Sequence, residues 1–159
     1  MENLRKYRIA VVQMDSRNDK GANVKYACQC IDEAAANGAK LISFPELYRI
    51  MTLEGAQVIF TPGSFTMATG KEHWECILRT RAIENACYIV AADQIGQKHE
   101  FFAYGHSMVI DPWGTIIAKA RDEAGMFYAD IDLDYEDKIR QKVPVLKNRR
   151  ADIYEVKRR

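Results

Sequence analysis

Apolar residues fall along the chain in short blocks whose spacing switches between that of strands and that of helices. Residues 7–14, YRIAVVQM, form a run rich in β-branched side chains and predict a buried strand. After a polar stretch, Val24, Ala27, Cys28, Ile31 and Ala35 recur at helical spacing and predict an amphipathic helix over 20–37, stopped at Asn37-Gly38. AKLISF (39–44) predicts a second strand, ended by Pro45. Leu47, Ile50, Met51 and Glu54 indicate a short helix closed by Gly55. AQVIF (56–60) predicts a third strand, with a turn at Pro62-Gly63. Trp74, Ile77, Leu78, Ala82 and Ile83 predict a helix over 71–86, and YIVAA (88–92) a fourth strand.

From there the pattern changes. HSMVIDP and TIIAKA flank Asp111–Gly114 and predict a β-hairpin. MFYADIDL (126–133) predicts another strand, and a last short helix over 134–143 ends before Pro144. No internal repeat or low-complexity linker interrupts this order. Strand–helix alternation followed by a hairpin predicts an α/β fold with a mixed sheet, in one domain over 1–159.

Composition narrows the function classes. The chain has 159 residues, 48% of them apolar, with a net charge of +1, so its balance gives no drive toward nucleic acid or an anionic membrane. The basic stretch Lys147, Arg149, Arg150, Lys157, Arg158 and Arg159 is interrupted by Asp152 and Glu155 and reads as a solvated tail. The opening MENLRKYRIAVVQMD has no long apolar core of a signal peptide, and no apolar run is long enough to span a bilayer. A cytoplasmic protein with reduced thiols is expected. Cys28, Cys30, Cys76 and Cys87 do not form C-x-x-C, and His73, His99 and His106 complete no zinc pattern, so no metal is expected.

None of the lone polar residues makes a convincing catalytic group. Cys28 lies on the predicted apolar stripe and Cys30 off it. Cys76 and Cys87 read as core thiols, and the carboxylates Glu72 and Glu75 work against a thiolate at Cys76. His106 reads as a hydrogen-bonding residue at a strand start. Ser107 beside it points to the opposite face and cannot easily pair with it. Ser64 lacks the G-x-S-x-G elbow, and Trp113 reads as a hairpin anchor.

The specific words of the sequence carry more. RIAVVQMD followed by a helix and GAKLISFPE resembles the first block of the nitrilase (carbon–nitrogen hydrolase) superfamily. The stretch from LYRIMTLEGAQVIF through GSFTMATGKEHW and RTRAIENACYIVAADQIG, then YGHSMVIDPWGTIIAKA, is similar to the part that follows that family's cysteine. GSFTMATGKEHW looks most like the ω-amidase-like branch. The resemblance implies a four-layer α-β-β-α sandwich with mixed sheets, homo-oligomeric assembly, a small carboxamide substrate and no cofactor.

It also implies a mechanism. A cysteine thiolate attacks the carbon, a glutamate moves protons, and a lysine stabilises developing charge. The glutamate of the first F-P-E word is the general base, and Glu46 takes that place. The family carries F-P-E again just after the cysteine, whereas this chain has it once, at Phe44-Pro45-Glu46, and runs directly into LYRIMTLEGAQVIF. The resemblance therefore implies an internal deletion at about residue 46. Laid on the cysteine block instead, residues 39–46 put Ala39 at the nucleophile and Ser43 at an arginine. In neither alignment does a nucleophilic cysteine remain, and Lys40 sits in the wrong block for the catalytic lysine.

Overall fold

The computed structural model describes residues 5–13, 22, 25, 26, 29, 33 and 48–153. Its elements run β1 (Lys6–Gln13), α1 (Tyr48–Leu53), β2 (Val58–Gly63), α2 (Met67–Thr69), a π-helical turn (Gly70–Trp74), α3 (Glu75–Asn85), β3 (Tyr88–Asp93), β4 (Ile95–Gln97), β5 (Phe102–Tyr104), β6 (Met108–Ile110), β7 (Ile116–Lys119), β8 (Gly125–Asp132) and α4 (Leu133–Lys142). Of the helix expected over 20–37, the described residues Ala22, Lys25, Tyr26, Gln29 and Glu33 are helical and exposed. They are the polar counterpart of the expected apolar stripe. The strand expected over 39–44 lies outside the described residues.

Strand β3 is the centre. It pairs in parallel with β2 and antiparallel with β6, and β7 closes the order β2-β3-β6-β7. The sheet is mixed, as the sequence leads one to expect. Side chains alternate along a strand, so β3 feeds two cores. Ile89 and Ala91 join Ile59, Met108 and Ile110 against Trp74, Leu78 and Ala82 of the helical segment. Tyr88 and Val90 join Val109 against Ile9, Ala129 and Ile131 of a second sheet, the antiparallel pair β1–β8, and against Leu133 at the start of α4. The layers are thus helix, mixed sheet and two-stranded sheet. The exposed face of β1–β8 carries ion pairs, Lys6–Asp132 at 3.0 Å and Arg8–Asp130 at 3.3 Å.

Three expectations need correction. Pro62-Gly63 is not a turn but the end of β2. Proline is tolerated because, among the described strands, β2 sits at the edge of its sheet and its missing N–H breaks no ladder. The helix expected over 71–86 begins earlier, at Met67, where Thr66 caps it by accepting the Thr69 N–H at 3.3 Å. The wide π turn that follows buries both Gly70 and Trp74. Trp113 does not anchor the hairpin. It is 47% exposed, with the Lys142 ammonium 4.9 Å from its ring centre. Asp111 does the anchoring, its Oδ1 accepting the N–H groups of Trp113 and Thr115, each at 2.9 Å.

A buried ionic cluster ties α4 to the rest. The Glu136 side chain is fully buried and pairs with Arg140 at 2.8 Å, while Gln57 Nε2 donates to it at 2.7 Å. Arg140 also donates to the carbonyls of Ala86 (2.9 Å) and Ala56 (3.2 Å), the exit of α3 and the entry to β2. Ala86 caps α3 in the left-handed region, at φ 46°. Burial pushes the Glu136 carboxyl from 4.5 up to about 7, against the opposing pull of Arg140 and Gln57. A carboxyl raised in the fold contributes stability that is full below its ordinary value and is lost as pH rises through 7. Arg140→Met should cost about 3–5 kcal/mol in urea unfolding, because it strands a buried charge. The loss should be larger at pH 8 than at pH 5, and Glu136→Gln should flatten the slope between them.

Candidate functional site

In open α/β sheets, ligands bind beyond the carboxyl ends of parallel strands. Here those ends are Gly63 of β2 and Asp93 of β3. Local sequence brings the surrounding groups together. The loop after β2 runs along β5, with the Tyr104 N–H donating to Phe65 O at 2.9 Å and Thr66 bridged to Ala103. Gly70 packs directly on Tyr104, so a Cβ there would fall 2.2 Å from the ring. The Tyr104 ring stacks on His106, centroids 4.0 Å apart. Trp74 Nε1 donates to His106 O at 3.1 Å. Behind them, the Ser107 hydroxyl accepts the Asp93 N–H at 2.9 Å and donates to Asp93 O at 3.1 Å.

Polar groups at this end are mostly spent on holding backbone. His106 adopts φ 57°, with Nδ1 2.8 Å from Tyr104 O and Nε2 3.1 Å from Asp122. Ser107 serves Asp93 and not His106, in line with their opposite faces. Ser64 is exposed in the loop. The Asp93 carboxyl is 2% exposed, and Oδ1 accepts the Phe65 N–H at 3.0 Å. Burial pushes it from 3.8 up to about 6, while the amides of Phe65, Gln94 and Gly105 pull the other way. Sequence reasoning passed over Asp93; an acid ending the apolar run YIVAA was its one signal.

The cysteines divide. Cys87 is buried, as expected, and burial pushes its thiol up to about 12 despite a hydrogen bond with Thr52. Cys76 is not a core thiol, contrary to the sequence reading. It is exposed on α3, since the helix turns Trp74 and Leu78 inward instead. It borders an open cleft of about 440 Å³ with Lys71, Glu72, Arg79 and Tyr104. The cleft's other carboxylate, Glu75, is held by Lys119 at 3.1 Å. Among the described residues no three His, Cys, Asp or Glu side chains converge as a metal would need. Among the described residues no helix is long and apolar enough to cross a membrane. Glu46, Cys28, Cys30, Ala39, Lys40 and Ser43 lie outside the described residues. Glu46 stands two positions before Tyr48, whose hydroxyl is 2.9 Å from Thr61 Oγ1 near the end of β2.

This layered α/β arrangement with mixed sheets matches part of solved structures of the nitrilase superfamily. The crystal structure of the Caenorhabditis elegans NitFhit protein superposes with a TM-score of 0.66 at 48% identity, covering 70% of this chain and 27% of that one. Saccharomyces cerevisiae Nit3, a member of the nitrilase superfamily, gives 0.62 at 36% identity, covering 67% and 40%. In sequence, the deaminated glutathione amidase of Bos taurus is 48% identical over 112 residues, 70% of this chain and 34% of its own length. The omega-amidase NIT2 of Danio rerio is 44% identical over 116 residues, 72% and 42%. The chain therefore spans less than half the length of these relatives. The carbon-nitrogen hydrolase profile matches residues 8–48 and 44–141, two stretches that share 44–48. The chain belongs to the carbon–nitrogen hydrolase family.

In a Cys28→Ser/Cys30→Ser background, a thiol reagent should modify Cys76 in the native protein and reach Cys87 only on unfolding, read by mass. Gly70→Ala should cost about 1–3 kcal/mol in urea unfolding by forcing Tyr104 off His106.

Proposed function

We propose that this chain descends from a hydrolase of small carboxamides, of the ω-amidase-like branch, and that as written it is catalytically silent. The observation that carries the reading is the double profile match. Residues 44–48, FPELY, end one family stretch and begin the next. Such an overlap is what an internal deletion between two F-P-E words would leave behind. The segment skipped is the one that, by resemblance, holds the lysine and the nucleophilic cysteine.

Chemistry supports the same reading. Glu46, the general base by resemblance, moves protons but forms no thioester. Of the two described thiols, Cys87 is buried with its proton held to about 12. Cys76 lies on the outer side of the helix and not at the strand ends. The relatives' names, deaminated glutathione amidase and omega-amidase, support a small carboxamide as the ancestral substrate class. A second reading, a partner for its own kind or for an intact relative, draws on the edge position that β2 holds among the described strands of its sheet.

Ammonia release from ω-amides of keto acids and from deaminated glutathione tests this. Loss of the nucleophile from a catalytic unit costs about 10⁶-fold, so no release above a buffer blank is expected. Turnover abolished by changing Cys28, Cys30, Cys76 and Cys87 to serine would restore a thiol mechanism. Turnover that survives the change would reveal another nucleophile. Either result overturns the proposal.

A further inference from the structure

Asp93 stands out among the buried groups. It is 2% exposed, yet among the described residues its Oδ2 receives no hydrogen bond. The amides of Gln94 and Gly105 face the carboxyl, but each already donates elsewhere, to Gly63 O at 3.1 Å and to Gln94 O at 2.8 Å. Among the described residues Oδ1 alone is engaged, and it holds Phe65, the residue through which the loop after β2 bonds to β5. Gly63 and Trp74 close in around it: a Cβ on Gly63 would lie 2.9 Å from the Trp74 ring and 3.2 Å from Asp93 Oδ1. Among the described residues, the elements around Asp93 bring no cation against its free oxygen. Trp74 and Phe65 are uncharged, and the titratable group that bears on the carboxyl is His106, itself held to Asp122.

We infer that the Asp93 carboxyl is a proton-controlled latch on the carboxyl end of the parallel strands. Neutral, it locks the 64–66 loop and the β4–β5 hairpin onto β3. Ionised, it lets both swing outward so that water reaches Oδ2. The physical reason is the asymmetry of the contacts. The Phe65 N–H needs an acceptor in either protonation state, and Oδ1 supplies one. The second oxygen is tolerable in a dry site when neutral and costly there when charged. Opening hydrates the charge at the expense of the Phe65 bond, the Tyr104 N–H···O=C Phe65 bond and the Thr66–Ala103 bridge. The sheet itself is untouched, because Ser107 and not the carboxyl holds the Asp93 backbone.

The sign follows from linkage. The carboxyl titrates at about 6 when closed and returns toward 3.8 when open, so the closed form loses ground as pH rises from about 4 to 6 and is level above. From pH 5 to 7.5 this amounts to about tenfold more opening.

Native-state amide exchange by NMR tests it, with rates corrected for intrinsic exchange and Val90 in the sheet centre as the reference for global unfolding. In the wild-type chain, opening at Phe65 and Tyr104 should stay more frequent than the global opening seen at Val90 and should itself rise about tenfold between pH 5 and 7.5. In Asp93→Asn, which keeps the acceptor and removes the charge, the rise should vanish. Unchanged protection in the wild-type chain, or the same rise in Asp93→Asn, overturns the latch. Should that variant fail to fold, the wild-type chain decides: the opening must follow the Asp93 carboxyl ¹³C shift, and a midpoint that follows the His106 ring instead overturns it.

Discussion

Strand β3 has no face left over. Its residues alternate between the helix-facing core and the sheet-facing core, so a shift of one position would exchange Ile89 and Ala91 with Tyr88 and Val90 and ruin both at once. That double constraint fixes everything around it. It places β2 and β6 in register, seats the helical segment through Trp74, Leu78 and Ala82, and presents Val90 and Val109 to β1–β8. Tyr88 extends the link by donating its hydroxyl to Asp132 O at 3.1 Å, at the start of α4. The two strand ends at the candidate site are then set by the same register that sets the core.

Much of this was legible in the residues. β1, β3, β8 and the β6–β7 hairpin announce themselves by β-branched runs and by Asp111-Pro112-Trp113-Gly114, because short-range pattern and tertiary role agree there. Where the reading failed, tertiary context overrode local preference. Pro62 sits in a strand because an edge position forgives it. The start of the long helical segment was obscured by Thr66, Met67 and Thr69, which carry no periodic signal, yet a cap and a π turn make them helical. The short hairpin β4–β5 has too few residues to show alternation and is held by the loop after β2. Cys76 looked like core because it sits beside Trp74 and Ile77, but the inward face belongs to Trp74 and Leu78.

The candidate site was read in a different way. Family words, not physical pattern, single out Glu46, which lies outside the described residues, since acid–base roles leave no periodic trace. Conversely Asp93, the most perturbed carboxyl near the strand ends, carries no family word at all. Its importance comes from a missing donor at Oδ2, which only the packing of Trp74, Gly63 and Phe65 around it reveals. Buried polar groups are costly enough that a fold keeps few without partners. The remaining polar groups of that end, His106, Ser107 and the amides after β2, are spent on shaping backbone.

The pairing of β1 with β8 has a consequence for how the chain reaches this state. Lys6 meets Asp132 and Gln13 meets Gly125, partners more than a hundred positions apart. The described strands of the mixed sheet lie between residues 58 and 119 and can assemble from nearby segments. Strand β1 must wait for a partner more than a hundred positions later, and loop closure over that distance is slow. During translation β1 therefore emerges well before β8 can pair with it. It is the segment on which a nascent-chain chaperone would have the longest time to act.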